Sequence, residues 1–302
     1  MNKITRTAIT ALIMVTVAGG FSGCGKKDES SKPSRLVISN SGSDTIVNLA
    51  QMWAETYQKV DPGVSVEVSG GGSGVGVRDL MQGVVDIANC SRAMKDSEKE
   101  QVKRNTGKEP VEWVVGYDAL AVYVHKDNPV EALTLSQLAE IYAEGGKVDK
   151  WSQLDIDIKS QGASDEIVRV SRQNSSGTYF YFRKYVMSDK DYKLGSIDMS
   201  GSKDVVALVG KTKGAIGYSG MGYASDAVKF VKVIKSKGET AYAPSLENAS
   251  SGNYPLSRPL RMYTLGQPTG HVRAYIDWIL SPAGQEVVEK SGYVPVAAAK
   301  KE

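Results

Sequence analysis

The run Ser171-Arg172-Gln173-Asn174-Ser175-Ser176-Gly177-Thr178 sets an arginine among hydroxyls and one glycine. A guanidinium is a planar, permanently charged fork, while hydroxyls and the closely approachable amides beside a glycine donate hydrogen bonds. Together these groups suit a tetrahedral oxyanion. Before the run, Ile167-Val168-Arg169-Val170 alternates as a strand would; after it, Tyr179, Phe182, Tyr185 and Val186 recur at helical spacing. The run should therefore end on a helix N-terminus, whose first N–H groups lack backbone partners and attract anions. The same residue types also suit an ordinary capped helix after a polar turn.

Three other stretches repeat the design, and this shifts the balance toward a site. Leu36-Val37-Ile38 reads as a strand running into Ser39 to Thr45, where Ser43, Asp44 and Thr45 precede a helical face of Ile46, Leu49, Ala50, Trp53, Tyr57 and Val60. Val64, Val66 and Val68 alternate as a second strand. The loop Ser69 to Gly76 then holds five glycines and Ser73, ahead of a helix from about Val77 to Gln82 with Leu80 and Met81 inward. That loop lacks the Gly-Lys-Ser/Thr ending of a nucleotide P-loop, the dinucleotide spacing, and the second glycine of a nucleophile elbow. What remains is a backbone nest with one hydroxyl, suited to a small anion. Val84 to Ala88 is a short buried strand leading into Asn89-Cys90-Ser91-Arg92, which would aim Arg92 at the same cleft. Ser97 with Glu100 makes a capping box for the helix that follows.

Further strands are expected over Val111 to Val115, Tyr117 to His125, Gly214 to Tyr218, Val228 to Ile234 and Arg261 to Thr264. Thr134 with Gln137 caps a helix carrying Leu138, Ile141 and Tyr142, and Ser202 caps one carrying Val205, Val206, Leu208 and Val209. Thr269 opens a helix through Tyr275, Ile276, Ile279 and Leu280, which Ser281-Pro282 breaks before a last helix over residues 283–290.

Length and composition bound the possibilities. A chain of 302 residues suggests two lobes of roughly 100 to 150 residues. The net charge of +3, or +1 once Lys3 and Arg6 are removed, is not a nucleic-acid binder's balance. Met1 to Cys24 has a basic start, an apolar run from Ala8 to Ala18 and small residues before Cys24. It resembles a bacterial lipoprotein signal, with Phe21 where an aliphatic residue is usual, and so implies lipidation of Cys24. Gly25 to Ser34 is then a polar leash. Cys90 is left as a lone, buried thiol. His125 and His271 stand apart from any cysteine or carboxylate cluster, so neither a metal nor a cofactor is expected.

Taken together, Gly42-Ser43-Asp44-Thr45, the Gly70 to Gly76 loop, Asp86 to Arg92 and Arg172 with Ser176-Gly177-Thr178 resemble the phosphate-binding proteins of Pst-type ABC importers. Asn128-Pro129, Leu133-Thr134, Ala215 to Tyr218 and Gly292 to Pro295 add to the likeness, which covers residues 35–297. It implies an α/β, two-lobed periplasmic-binding-protein fold of type II with two crossover strands, near Asp118 to Val124 and Leu260 to Thr264. Lobe one would comprise residues 35–118 and 262–302, and lobe two residues 119–261. The implied ligand is inorganic phosphate, held by Ser43, Thr45, Ser73, Arg172, Ser176, Gly177 and Thr178 and passed to the permease subunits of an ABC importer. The chain would be a lipid-anchored monomer without enzymatic activity. Many members carry an aspartate after the serine of the third loop, to accept the proton of hydrogen phosphate; Arg92 stands there instead. Asp44 is then the candidate acceptor and Asp86 the weaker one. Sulfate, molybdate or tungstate, and a secreted phosphatase, are the competing readings.

Overall fold

The computed structural model describes residues 35–296. The expected signal segment Met1 to Cys24, with its lipidation site Cys24, and the leash Gly25 to Ser34 lie outside the described residues. The first part repeats a strand, loop and helix unit: β1 (Leu36–Gly42), α1 (Val47–Val60), β2 (Val64–Ser69), α2 (Ser73–Met81), β3 (Ile87–Cys90) and α3 (Asp96–Thr106). The long β4 (Pro110–His125) leads into β5 (Ala132–Thr134), α4 (Leu135–Tyr142), β6 (Val168–Arg172), α5 (Gly177–Met187), β7 (Ile197–Met199), α6 (Ser202–Val209) and β8 (Ala215–Gly220). After β9 (Val228–Ile234), β10 (Ala241–Tyr242) and α7 (Leu246–Ser250), the chain returns through β11 (Ser257–Leu265) and closes with α8 (Gly270–Leu280) and α9 (Pro282–Lys290).

The strands form one mixed sheet in the order β2-β1-β3-β11-β4-β8-β6-β7, with β9 also paired to β4. β1 lies parallel to both β2 and β3, so the carboxyl ends of these strands open on the same side. In α/β sheets that is where ligands bind. β4 is the shared member. Residues 110–119 pair with β11, whereas 120–125 pair with β8 and β9. From Ala119 to Val124 every β4 side chain is buried, which explains a near-continuous apolar run where a half-exposed strand would alternate.

Two large apolar clusters flank the change of partner. One gathers Ile38, Leu49, Trp53, Ile87, Val115, Leu260, Tyr275 and Ile279; the other gathers Leu120, Val122, Leu138, Tyr142, Trp151, Phe182 and Tyr218. Trp53 Nε1 donates to Gly284 O at 2.8 Å and so fastens α9 onto α1.

Several expectations shift by a few residues. β1 runs on to Gly42, and α2 begins at Ser73, because the second half of the glycine loop forms the helix's first turn. Val84 lies outside β3 and is exposed, as are Val60 and Tyr185. The expected Ser97/Glu100 box is replaced by one two residues earlier, in which Lys95 N donates to Glu98 Oε2 at 2.8 Å. Ser202 is the first helical residue of α6 and not its cap, which frees its hydroxyl for Arg172. The Thr134/Gln137 box forms as expected, with Gln137 N donating to Thr134 Oγ1 at 3.0 Å.

Candidate anion-binding site

Four strand-to-helix junctions converge where β1, β2, β3 and β6 end. Gly42, at φ 137°, ends β1 in a conformation that L side chains rarely adopt. Ser43 N donates to Asn89 O and Gly72 N to Gly42 O, each at 2.9 Å, which stitches the first three junctions together. The fourth is joined by Gly74 N, which donates to Ser175 O at 2.9 Å. Gly72 is required here: at φ 98° it lies so near the Arg172 run that a Cβ would sit 2.5 Å from Ser175 O. The N-termini of α1, α2 and α5 therefore all face the meeting point, and their partial positive charges favour an anion.

The side chains carried there are buried. Ser43, Thr45, Ser73, Ser91, Ser176 and Thr178 are at most 2% exposed. Ser73 Oγ accepts from Ser91 N at 3.0 Å and lies 3.4 Å from Ser91 Oγ. Ser176 caps α5, its Oγ accepting from Thr178 N at 3.1 Å and Tyr179 N at 3.4 Å. Thr45 Oγ1 and Thr178 Oγ1 are hydrogen-bonded to each other at 2.9 Å. Gly177 opens α5 against the second and third junctions. A Cβ there would stand 2.6 Å from Ser91 Oγ and 3.0 Å from Ser73 Cβ, and closer still to Ser73 Oγ.

Arg172 is fully buried. Its Nη1 donates to Ser202 Oγ at 3.0 Å, and its Nη2 to Ser200 O at 2.9 Å and Asp44 Oδ2 at 3.1 Å. Asp44 Oδ1 accepts from Gly71 N at 2.9 Å, so this carboxylate links the first, second and fourth junctions. Burial lowers the Arg172 pKa from its ordinary value, and the charge of Asp44 opposes that shift. Among the described residues, Arg172 Nε and Ser43 Oγ are buried with no hydrogen-bond partner. Buried polar atoms are nearly always satisfied, so two donors left over in one cradle point to a ligand.

Arg92 requires a correction. Its Nη1 and Nη2 each donate to a Glu98 carboxylate oxygen at 2.7 Å, and its guanidinium lies 5.2 Å from the Phe180 ring centroid. It lines a separate cavity of about 330 Å³ with Lys95, Phe180, Lys184 and Arg261, and no residue of the cradle lines that cavity. β3 ends at Cys90, and in the bend that follows Ser91 bonds to Ser73 while Arg92 turns to Glu98. Asp86 is structural, its Oδ2 accepting from Ser39 N and Oγ, both at 2.8 Å.

The arginine that does reach the cradle was missed. Arg258 on β11 is 1% exposed and donates from Nε and Nη2 to Asp118 Oδ2, at 3.0 and 2.8 Å. It also donates from Nη1 to Ser91 O at 3.2 Å, and from Nη2 to Thr178 Oγ1 at 3.0 Å and Thr45 Oγ1 at 3.4 Å. Burial raises the Asp118 pKa, with Arg258 and the Met221 amide opposing. A sequence signal existed: Asp118 interrupts the apolar run of β4, and Arg258 stands between the buried Leu256 and Leu260, as complementary charges inside two buried strands would.

The cradle offers donors and one carboxylate. No histidine is bonded to any of its hydroxyls among the described residues, and no group of three His, Cys, Asp or Glu side chains there could hold a metal.

Residues 27–283 match the sequence profile of the PBP superfamily domain. The chain is 35% identical over 269 residues to the phosphate-binding protein PstS of Pseudomonas aeruginosa, covering 86% of this chain and 83% of that one. It is 28% identical over 306 residues to PstS of Bacillus subtilis, covering 99% and 96%. Among solved structures it resembles a phosphate ABC transporter substrate-binding protein from Clostridium perfringens with bound phosphate. There the TM-score is 0.74 and the identity 32%, over 86% of this chain and 99% of that one.

Proposed function

Since the chain belongs to the PstS phosphate-binding proteins of the PBP superfamily, we propose that it captures inorganic phosphate outside the cytoplasm and delivers it to an ABC importer. One observation carries the site: a desolvated arginine and a ring of hydroxyls from four junctions converge, with Ser43 Oγ and Arg172 Nε buried and unpartnered. The phosphate would be held by Ser43, Thr45, Ser73, Arg172, Ser176, Gly177 and Thr178. Asp44, the carboxylate of the cradle, would accept the proton that hydrogen phosphate carries and sulfate does not. Arg92 is no part of this set.

Magnitudes agree with capture without chemistry. Micromolar affinity corresponds to about 8 kcal/mol, and hydrogen bonds to a charged partner contribute about 1.5–3 kcal/mol each. Three or four such bonds suffice.

The type II, two-lobed arrangement is part of the proposal, with β4 and β11 as the crossover strands. The passage from Leu256 in one apolar cluster to Leu260 in the other supports a second boundary near Ser257, a few residues before the one read from the sequence. Lipidation of Cys24 would tether a monomeric receptor to the membrane near its permease. Calorimetry on the soluble chain with phosphate, sulfate, molybdate and tungstate tests the proposal. We expect phosphate binding that Arg172→Ala abolishes; binding of sulfate or molybdate in preference to phosphate would overturn it.

A further inference from the structure

Arg258 and Asp118 form an ion pair in which both side chains are fully buried. Such a pair is weak grounds for stability, because desolvation offsets most of the attraction. Its location is informative. Asp118 lies where β4 changes partner, since Ala119 still pairs with Ser257 of β11 and Leu120 with Gly220 of β8.

The hydrogens of Arg258 Nη2 can be assigned. There are two. One goes to Asp118 Oδ2 at 2.8 Å; the other is shared by Thr178 Oγ1 at 3.0 Å and Thr45 Oγ1 at 3.4 Å. Both threonine oxygens thus accept from a cation. Each hydroxyl has a single hydrogen, and one of the two closes the 2.9 Å bond between the threonines. The remaining O–H is left to donate.

Two other cradle hydroxyls follow the same rule by different means. Ser176 Oγ accepts from two amides and Ser73 Oγ from Ser91 N, so backbone donors engage their oxygens and favour their O–H groups as donors. At the threonines a charged side chain does this. Apart from the proton assigned to Asp44, hydrogen phosphate offers only acceptors, so a hydroxyl turned the wrong way would present a lone pair to it and repel it.

We propose that Arg258 is a positioning residue that sets the polarity of the Thr45 and Thr178 hydroxyls, so that the free O–H of the pair is offered to the anion as a donor. It acts only when the junctions are together, because Thr45 follows β1 whereas Thr178 belongs to α5. Asp118 cancels its charge, so it supplies direction without adding net charge. The inference rests on the reading of the cradle as a phosphate site.

The test is phosphate calorimetry, with thermal melting in phosphate-free buffer, on four variants. Arg258→Lys keeps the charge but cannot reach Asp118 and both threonines at once. Arg258→Met with Asp118→Asn removes the two charges together, so the fold is spared a lone buried carboxylate. Thr178→Val, alone and combined with Arg258→Lys, completes a double-mutant cycle. Both arginine variants should melt cooperatively and bind phosphate about 10- to 150-fold more weakly, the equivalent of one lost charge-assisted bond. Thr178→Val should add little to Arg258→Lys, because the hydroxyl it deletes is already misdirected. Affinity like that of the unsubstituted protein in either arginine variant, or additive losses in the cycle, would overturn the inference. If the unsubstituted protein bound no phosphate, the proposed function would fall first and this inference with it.

Discussion

Gly177→Ala separates the needs of the fold from those of the site. Gly177 is the first residue of α5 and does not have a positive φ, so alanine is compatible with its backbone. For the fold, the exchange should be neutral or stabilising by about 0.4–1 kcal/mol, through the lost freedom of the unfolded chain. For the cradle, with its junctions together, it is not. The added methyl would stand 2.6 Å from Ser91 Oγ and 3.0 Å from Ser73 Cβ, whereas carbon and oxygen need well over 3 Å. Either α5 stays away by about 1 Å, or Ser73 and Ser91 turn their hydroxyls out of the site. A shift of that size puts at least two charge-assisted hydrogen bonds beyond range. At about 1.5–3 kcal/mol each, phosphate affinity should fall by two to four powers of ten. Calorimetry with phosphate measures the loss, and melting in phosphate-free buffer measures the fold. A variant that melts at or above the unsubstituted protein yet binds phosphate within threefold of it would refute the reasoning.

Other outcomes follow from single groups. Asp44→Asn should narrow the preference for phosphate over sulfate in competition calorimetry, because an amide can donate to sulfate where a carboxylate repels it; an unchanged ratio removes Asp44 as the acceptor. For Glu98, burial alone would raise the pKa, but hydrogen bonds from Arg92 and the Lys95 amide bring it below its ordinary value. A depressed carboxylate stabilises the fold above its unfolded pKa of about 4.3 and loses that contribution as pH falls through the folded value. Glu98→Gln should therefore be less stable by about 1.5–3 kcal/mol in urea at pH 7, with the gap closing below about pH 4. A gap independent of pH would contradict this. Burial pushes the Cys90 thiol up to about 12, so thiol reagents at neutral pH should label it only as fast as its surroundings open. Rapid labelling of the native protein would place the thiol elsewhere.

Much of the framework was legible because the local signals were strong. The period-2 valines of β2, the helical face of Leu49, Ala50, Trp53 and Tyr57, and the Thr134/Gln137 box each act over a few residues, and each appears in the structure. Loop limits were less legible, since an N-terminal turn such as Ser73 to Gly76 is written in the same small residues as the loop before it. The two arginines near the site show where local reading ends. Arg92 follows a site serine in sequence, and the bend after β3 turns it away to Glu98. Arg258 is 166 residues further along the chain, and it is brought to Ser91 only because β11 returns to pair with β3 and β4. Register between distant strands decided which guanidinium enters, and no spacing within one loop encodes that register.

In the proposed two-lobed arrangement, closure and capture would be linked by the same groups. The polar contacts that join the Arg172 run to the first two junctions are few: Gly74 N to Ser175 O, Thr45 to Thr178, and Arg172 to Asp44. Two of the three use side chains assigned to the phosphate. An anion seated among them adds bonds that exist only when the junctions meet, so its binding energy is differential between open and closed forms, which alone can shift a population. Reversing a 1:99 equilibrium to 99:1 takes about 5.5 kcal/mol, less than the roughly 8 kcal/mol of micromolar binding. In that arrangement phosphate could close the protein and still be held. Gly177→Ala should uncouple the two, leaving a folded chain that scatters X-rays alike with and without phosphate, whereas the unsubstituted protein should become more compact on binding.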